Sequence, residues 1–343
     1  MSSSPGAPEG SQGSERAPAE GSIRRRGDRL VGTSRSVQRA QEQIAVAGRG
    51  RFPVFITGEE GVDKELVARL IHAASEWATG GFFALDASLV PETLLGRELL
   101  GSELAAIASL PAEAEGAFTR VGSGTVLLEH VEAVPKELQQ TLAVAIEEGR
   151  YRRLGGGESR ALESRLIASS IEPLESLTSS GGIVPELSRR LVLNIELDAL
   201  RDRRDDILPL AAHALAVARE EIEHELGRPC PVRGFTREAL ERLREHNWPG
   251  NERELREQIR SALRLARGEE VGTEDLLLGG ESTDQIASFR DAKRAFEHEY
   301  VTRILRLCKG NISRAARIAK KDRKDFYDVM RRNSIDPQEF RNQ

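Results

Sequence analysis

The 343 residues, 39% hydrophobic and 31% charged, can bury a sizeable core and leave room for two or three domains. No apolar run is long enough to cross a bilayer and no charged-then-apolar leader opens the chain, which predicts a cytoplasmic protein without membrane contact; Cys230 and Cys308 are too few and too far apart for a disulfide framework or a metal site. Net charge is −5, yet residues 286–343 hold 15 Lys+Arg against 8 Asp+Glu, a local +7 that leaves −12 on the rest. A nucleic-acid contact is therefore predicted at the C-terminal end, with a solvated charged face as the plainer alternative.

Residues 1–28 are rich in Ser, Gly, Pro, Ala and Glu and almost lack large apolar side chains. Such a composition cannot repay the entropy of ordering, so the segment is predicted to be disordered, with no folded receiver or sensor domain ahead of the core. Over 29–205, strand-like and helix-like runs alternate, the pattern of a parallel sheet flanked by helices. Residues 51–57 read as a buried strand that ends at Gly58, and from Lys64 the apolar residues Leu66, Val67, Leu70 and Ile71 recur at helical spacing. Strand, glycine loop, lysine and helix is the layout of a phosphate-binding P-loop, where N–H groups and a helix N-terminus cradle phosphate oxygens. Residues 81–86, 125–130, 164–170 and 192–197 read as further strands. Gly58, Glu129 and Ser170 would then gather at carboxyl strand ends, where ligands of open α/β sheets sit.

Residues 206–280 lack strand signals and read as a small helical domain, in which Asn251 with Glu254 three positions on predicts a capping box. After a polar linker, 285–343 reads as three helices over 289–307, 313–319 and 323–332. The last two are joined by the turn Lys320-Lys321-Asp322, which is helix-turn-helix geometry. Phe326, Val329 and Met330 are placed to pack inward. Arg314, Lys321, Arg323, Lys324, Tyr327 and Arg331 are the predicted DNA contacts, against the alternative of a three-helix protein-binding domain.

Over residues 31–341 the chain resembles the bacterial enhancer-binding proteins, AAA+ activators of sigma-54 RNA polymerase. The resemblance rests on Gly58-Glu59-Glu60-Gly61-Val62-Asp63-Lys64-Glu65 with Leu66-Val67-Ala68, and on Pro91-Glu92-Thr93-Leu94-Leu95. It rests also on Leu200-Arg201-Asp202-Arg203-Arg204-Asp205-Asp206-Ile207, on Trp248-Pro249-Gly250-Asn251-Glu252-Arg253-Glu254-Leu255, and on a Fis-like C-terminal segment. It implies an AAA+ P-loop α/β core with a parallel sheet over 29–205, a helical lid over 206–280 and a small all-α helix-turn-helix DNA-binding domain over 285–343. It further implies ATP, with Mg only where ATP binds, at Gly58, Gly61, Lys64, Glu65, Glu129, Arg190 and Arg253. The implied partners are DNA at a palindromic site and a homo-oligomer, or a mixed oligomer with related AAA+ regulators.

The chain also departs from the family pattern. In the P-loop, Ser is replaced by Glu60, Thr by Val62 and Gly by Asp63; the Asp-Glu pair expected at a strand end reads Glu129-His130. The sensor asparagine aligns with Ile171, and the first of two arginines offered to a neighbour's ATP aligns with Val184. The sigma-54 loop, Gly-Ala-Phe-Thr-Gly-Ala in the family, maps by spacing to Ala105-Ala106-Ile107-Ala108-Ser109-Leu110. The look-alike Gly116-Ala117-Phe118-Thr119 falls instead at the entry to the strand before Glu129. A carboxylate about 4 Å from a phosphate costs on the order of 4 kcal/mol at an effective dielectric near 20, hundreds-fold in binding, unless Asp63 turns outward to water. The combined expectation is a DNA-binding transcriptional regulator with a degenerate AAA+ domain that neither hydrolyses ATP nor remodels sigma-54 holoenzyme, with no catalytic residue assigned. Two alternatives stand beside it: a functional ATP-dependent sigma-54 activator with an atypical nucleotide site, and a protein-interaction scaffold with no DNA target.

Overall fold

The computed structural model describes residues 29–103 and 113–278 together with 301, 304, 305, 308, 312–319, 326 and 330. The chain divides into two compact units, 1–278 and 279–343.

In the first unit Ser34 caps α1 (Arg35–Gly48), its Oγ accepting the Val37 N–H at 3.3 Å. Val37, Ala40, Ile44 and Ala47 follow at helical spacing and are buried. Then come β1 (Val54–Thr57), α2 (Lys64–Ala73), β2 (Phe82–Asp86), α3 (Glu92–Leu100), β3 (Gly101–Ser102), β4 (Ala114–Glu115), α4 (Ala117–Val121) and β5 (Thr125–Glu129). They are followed by α5 (Lys136–Glu148), the hairpin β6 (Arg150–Arg152) with β7 (Ser159–Ala161), β8 (Arg165–Ser170), α6 (Leu174–Ser180), α7 (Pro185–Ser188) and β9 (Leu193–Glu196).

Five strands form one parallel sheet in the order β2-β5-β8-β1-β9. All five predicted strands are present, trimmed at their ends. The central strands β1, β5 and β8 are buried on both faces, which is why they read as apolar runs. Phe55, Val126, Leu128, Leu166 and Ala168 join one core, while Val54, Ile56, Leu127, Ile167 and Ile195 join the other beneath α1 and α2. Strand β1 lies between β8 and β9, where the strand order switches, and the P-loop leaves its carboxyl end there.

Gly116-Ala117-Phe118-Thr119 enters β5 as the spacing predicts, and it belongs to the interior. Phe118 is buried edge-on against Tyr151 at 5.5 Å, and Thr119 Oγ1 lies 2.8 Å from the Tyr151 hydroxyl. A Cβ on Gly116 would stand 2.2 Å from the Gly101 nitrogen, so close packing demands glycine. The expected sigma-54 loop, 105–110, lies outside the described residues; its flanks pair antiparallel, Gly101 with Glu115.

After β9 the chain is mainly helical, with α8 (Ile207–Leu226), β10 (Gly234–Phe235), α9 (Arg237–Glu245), α10 (Asn251–Leu265) and β11 (Glu270–Val271). The parallel pairing of β10 with β11 corrects the strand-free expectation; two-residue strands are too short to leave a period in the sequence. Trp248 is fully buried in this helical core, and its Nε1–H donates to the Leu243 carbonyl at 2.9 Å.

The capping box is corrected as well. Gly250 is the cap, and Glu254 Oε2 accepts its N–H at 2.7 Å. Asn251 faces elsewhere. With φ at +50°, its Oδ1 accepts the Leu200 N–H and its Nδ2 donates to the Glu60 carbonyl, both at 2.8 Å.

In the second unit a helix spans Ile312–Ile318, and Ala315 and Ala316 are buried with Val301, Ile304, Leu305, Cys308, Phe326 and Met330. Phe326 and Met330 are thus interior, as their spacing predicts. Val329, Lys321, Arg323, Lys324, Tyr327, Arg331 and the side chain of Arg314 lie outside what is described.

Candidate functional site

The P-loop from Gly58 to Lys64 connects β1 to α2, and its polar groups are largely bonded within the chain. Lys64 is buried, and its ammonium donates to the Gly58 carbonyl at 2.8 Å and the Glu59 carbonyl at 3.0 Å. Burial pushes the Lys64 pKa down, against the pull of Glu60, Glu129 and Glu132. The Lys64 N–H, which a phosphate cradle would aim at its ligand, reaches the Val62 carbonyl at 2.8 Å. Asp63 between them has φ −74° and ψ +60°, an inverse γ-turn. Gly61 has φ +80°, and a Cβ there would stand 2.1 Å from the Gly250 carbonyl oxygen, so this glycine is required by the seating of α10 as well as by its own backbone. The Gly61 carbonyl accepts the Arg253 N–H at 3.1 Å.

Each acidic side chain of the loop meets an arginine from beyond the sheet. Glu59 takes a fork from Arg201, one arm at 2.7 Å, and this bond holds its carboxyl below the usual range. Glu60 pairs with Arg253 at 2.8 Å. Asp63 takes a bidentate fork from Arg256, one arm at 2.6 Å. The sequence left Asp63 free to turn outward to water; it does turn outward, onto a guanidinium.

Beneath these pairs the motif Arg201 to Asp206 anchors the joint. Arg203 is buried against Glu252, and Asp206 Oδ1 accepts the Thr33 and Ser34 N–H groups at 2.7 and 2.9 Å. Between this entry segment, Val62, Asp63 and α10 remains a cavity of about 10 Å³, the room one water needs.

At the neighbouring strand ends, burial and the charges of Glu65 and Asp86 push the Glu129 carboxyl up from its ordinary 4.5. His130 has φ +53°, and its Nδ1 lies 2.9 Å from Asp86 Oδ1. Burial works against ionisation of Asp86, but bonds from Ser88 and His130 outweigh it and keep this carboxyl low. The imidazole is thereby tied to a carboxylate, while its Nε2 lies 3.9 Å from Glu60.

Of the residues singled out in the sequence, Gly58, Gly61, Lys64, Glu129 and Arg253 come together around the loop. Glu65, close enough to act on Glu129, is half exposed and pairs with Arg69 at 2.6 Å, and Arg190 pairs with Glu147 of α5 at 2.5 Å. Ile171 is half exposed just past β8. Val184 is a buried core residue whose N–H donates to Gln139 Oε1 at 2.8 Å, so this position has been absorbed into packing. Sequence reasoning missed the roles of Arg201, Arg203, Glu252 and Arg256. Only the three-residue spacing of Arg253 and Arg256, which places both on one helix face, could have signalled the last. The cations nearest the loop are held by its own carbonyls and carboxylates: Lys64 by the Gly58 and Glu59 carbonyls, and Arg201, Arg253 and Arg256 by Glu59, Glu60 and Asp63.

Comparison with known proteins agrees with this architecture. Residues 30–196 match the family model described as the Sigma-54 interaction domain, and 201–286 match the AAA+ ATPase lid domain. The transcriptional regulatory protein GlrR of Escherichia coli (strain K12) is 31% identical over 315 residues, a match spanning 91% of this chain and 69% of GlrR. The DNA-binding transcriptional regulator NtrC of Klebsiella pneumoniae is 34% identical over 248 residues, spanning 72% of this chain and 52% of NtrC. A crystal structure of NtrX from Brucella abortus superposes with a TM-score of 0.69 at 29% identity, covering 89% of this chain and 69% of NtrX. NtrX in complex with ATP superposes with a TM-score of 0.65, covering 89% and 69%. By sheet order, P-loop placement and these matches, the chain belongs to the family of sigma-54-dependent AAA+ transcriptional regulators.

Proposed function

We propose that this chain is a DNA-binding transcriptional regulator whose AAA+ domain serves as a scaffold and neither hydrolyses ATP nor remodels sigma-54 RNA polymerase. The observation that carries this reading is Asp63. It bends the Lys64 N–H onto the Val62 carbonyl and fixes its own carboxylate on Arg256. An incoming polyphosphate must break that fork and then face Glu59, Glu60 and Asp63 together. The hydrolytic side is equally poor, because His130 is held by Asp86 and Ile171 has no polar side-chain atom. DNA binding is supported by the basic excess of the C-terminal segment and by its expected contacts Arg314, Lys321, Arg323, Lys324, Tyr327 and Arg331. The expected assembly is a homo-oligomer or a mixed oligomer with related AAA+ regulators. Among the described residues no helix is long and apolar enough to cross a membrane.

A second reading, an ATP-dependent sigma-54 activator with an atypical site, is favoured by the crystal structure of NtrX in complex with ATP and by the convergence of Gly58, Gly61, Lys64, Glu129 and Arg253. In vitro transcription separates the two. With sigma-54 holoenzyme, target DNA and ATP, the proposed function predicts that the chain occupies its site and forms no open complexes; ATP-dependent open complexes would establish the second reading instead.

A further inference from the structure

The three acidic side chains of the loop are already paired with arginines of the chain itself. Arg201, Arg253 and Arg256 pair with Glu59, Glu60 and Asp63, while the charges of Glu60, Glu129 and Glu132 act on Lys64. Two of these carboxylates, Glu60 and Asp63, stand at uncharged positions of the family pattern, and both are joined to α10. Their partners, Arg253 and Arg256, share one face of that helix. The same face is seated by backbone contacts, with the Arg253 N–H on the Gly61 carbonyl and the Asn251 side chain on the Glu60 carbonyl.

We propose that Glu59, Glu60 and Asp63 act as an internal ligand, taking on the lid arginines the place a polyanion would fill and holding the lid closed over a nucleotide-free P-loop. The closed lid is then the resting state of the chain, maintained by three ion pairs rather than by a bound nucleotide. This rests on the reading that the domain works as a scaffold, but it concerns lid position and not turnover.

The device has a distinctive salt response. The three pairs are largely exposed on the arginine side, so each shifts the closed-to-open ratio by about two- to fivefold and is screened as ionic strength rises. The least exposed carboxylate, that of Asp63, is the most effective.

Hydrogen exchange on the full chain, without nucleotide, tests this at the amides of α10. The expected result is protection of Arg253 and its neighbours at low salt. Exchange there should rise at high salt and in the Glu60→Gln/Asp63→Asn variant, by about two- to fivefold for each pair lost, while amides of β1, β5 and β8 stay unchanged. The swap Asp63→Arg with Arg256→Asp should restore protection. If the variants fail to fold, the salt response of the unaltered chain decides alone. Exchange in α10 that is the same at low and high salt overturns the proposal, as does protection that appears only when ATP is added. ATP turnover, by contrast, would overturn the scaffold reading and leave the nucleotide-free lid measurement standing on its own result.

Discussion

At the scale of single residues, Asp63 was legible as a charge in the wrong place. Its resolution was not, because Arg256 lies 193 positions later and the pair exists only once α10 is seated on the loop. A separation of 49 positions likewise hid the buried pair of Arg203 with Glu252, whose side chains are 5% and 4% exposed. Removing one member leaves a buried charge without its counter-ion, so Arg203→Ala is expected to cost about 3–5 kcal/mol in urea denaturation. The paired replacement Arg203→Met/Glu252→Leu should recover most of it.

Glu129 makes a different prediction. Its carboxyl is raised above 4.5 in the folded chain, so folding favours the neutral form. The favourable contribution is complete below the unfolded pKa and is lost as pH rises through the folded pKa, which makes Glu129 a burden at neutral pH. Thermal unfolding in the absence of Mg should therefore show Glu129→Gln more stable than the parent at pH 7, with the gain vanishing near pH 4. A variant that is less stable at pH 7 would mean that the charged carboxylate is satisfied.

At the scale of elements, the central strands β1, β5 and β8 could be read because burial on both faces turns them into short apolar runs ending in polar residues. The pairing of β10 with β11 could not, since two residues carry no period. Asn251 misled because its type and spacing fit a cap, whereas its positive φ and its bonds to Leu200 and Glu60 make it a bridge between the P-loop and the joint. Phe118 tests the element-level reading of Gly116-Ala117-Phe118-Thr119. As a buried ring against Tyr151, it should cost about 3–5 kcal/mol when replaced by Ala. Phe118→Ala that keeps full stability in urea would return this stretch to the surface and to a polymerase-contact role.

At the scale of the molecule, the fold and family follow from the alternation of strands and helices and from motifs spread over most of the chain. The working state of the nucleotide site does not follow from them, because it depends on ion pairs between segments more than a hundred residues apart. The charge division between an acidic body and a basic C-terminal segment predicts that DNA affinity falls steeply with salt. Titrations of a palindromic target should show Arg323→Ala/Lys324→Ala weakening binding across sequences and flattening the salt slope by about 2.

The claim on which the rest depends is that this AAA+ domain is not an engine. Steady-state ATP hydrolysis by the purified full chain, with and without Mg and with target DNA present, tests it against Lys64→Ala. The expected rate is the same for both proteins and insensitive to Mg. Turnover that Mg stimulates and Lys64→Ala abolishes would contradict the account.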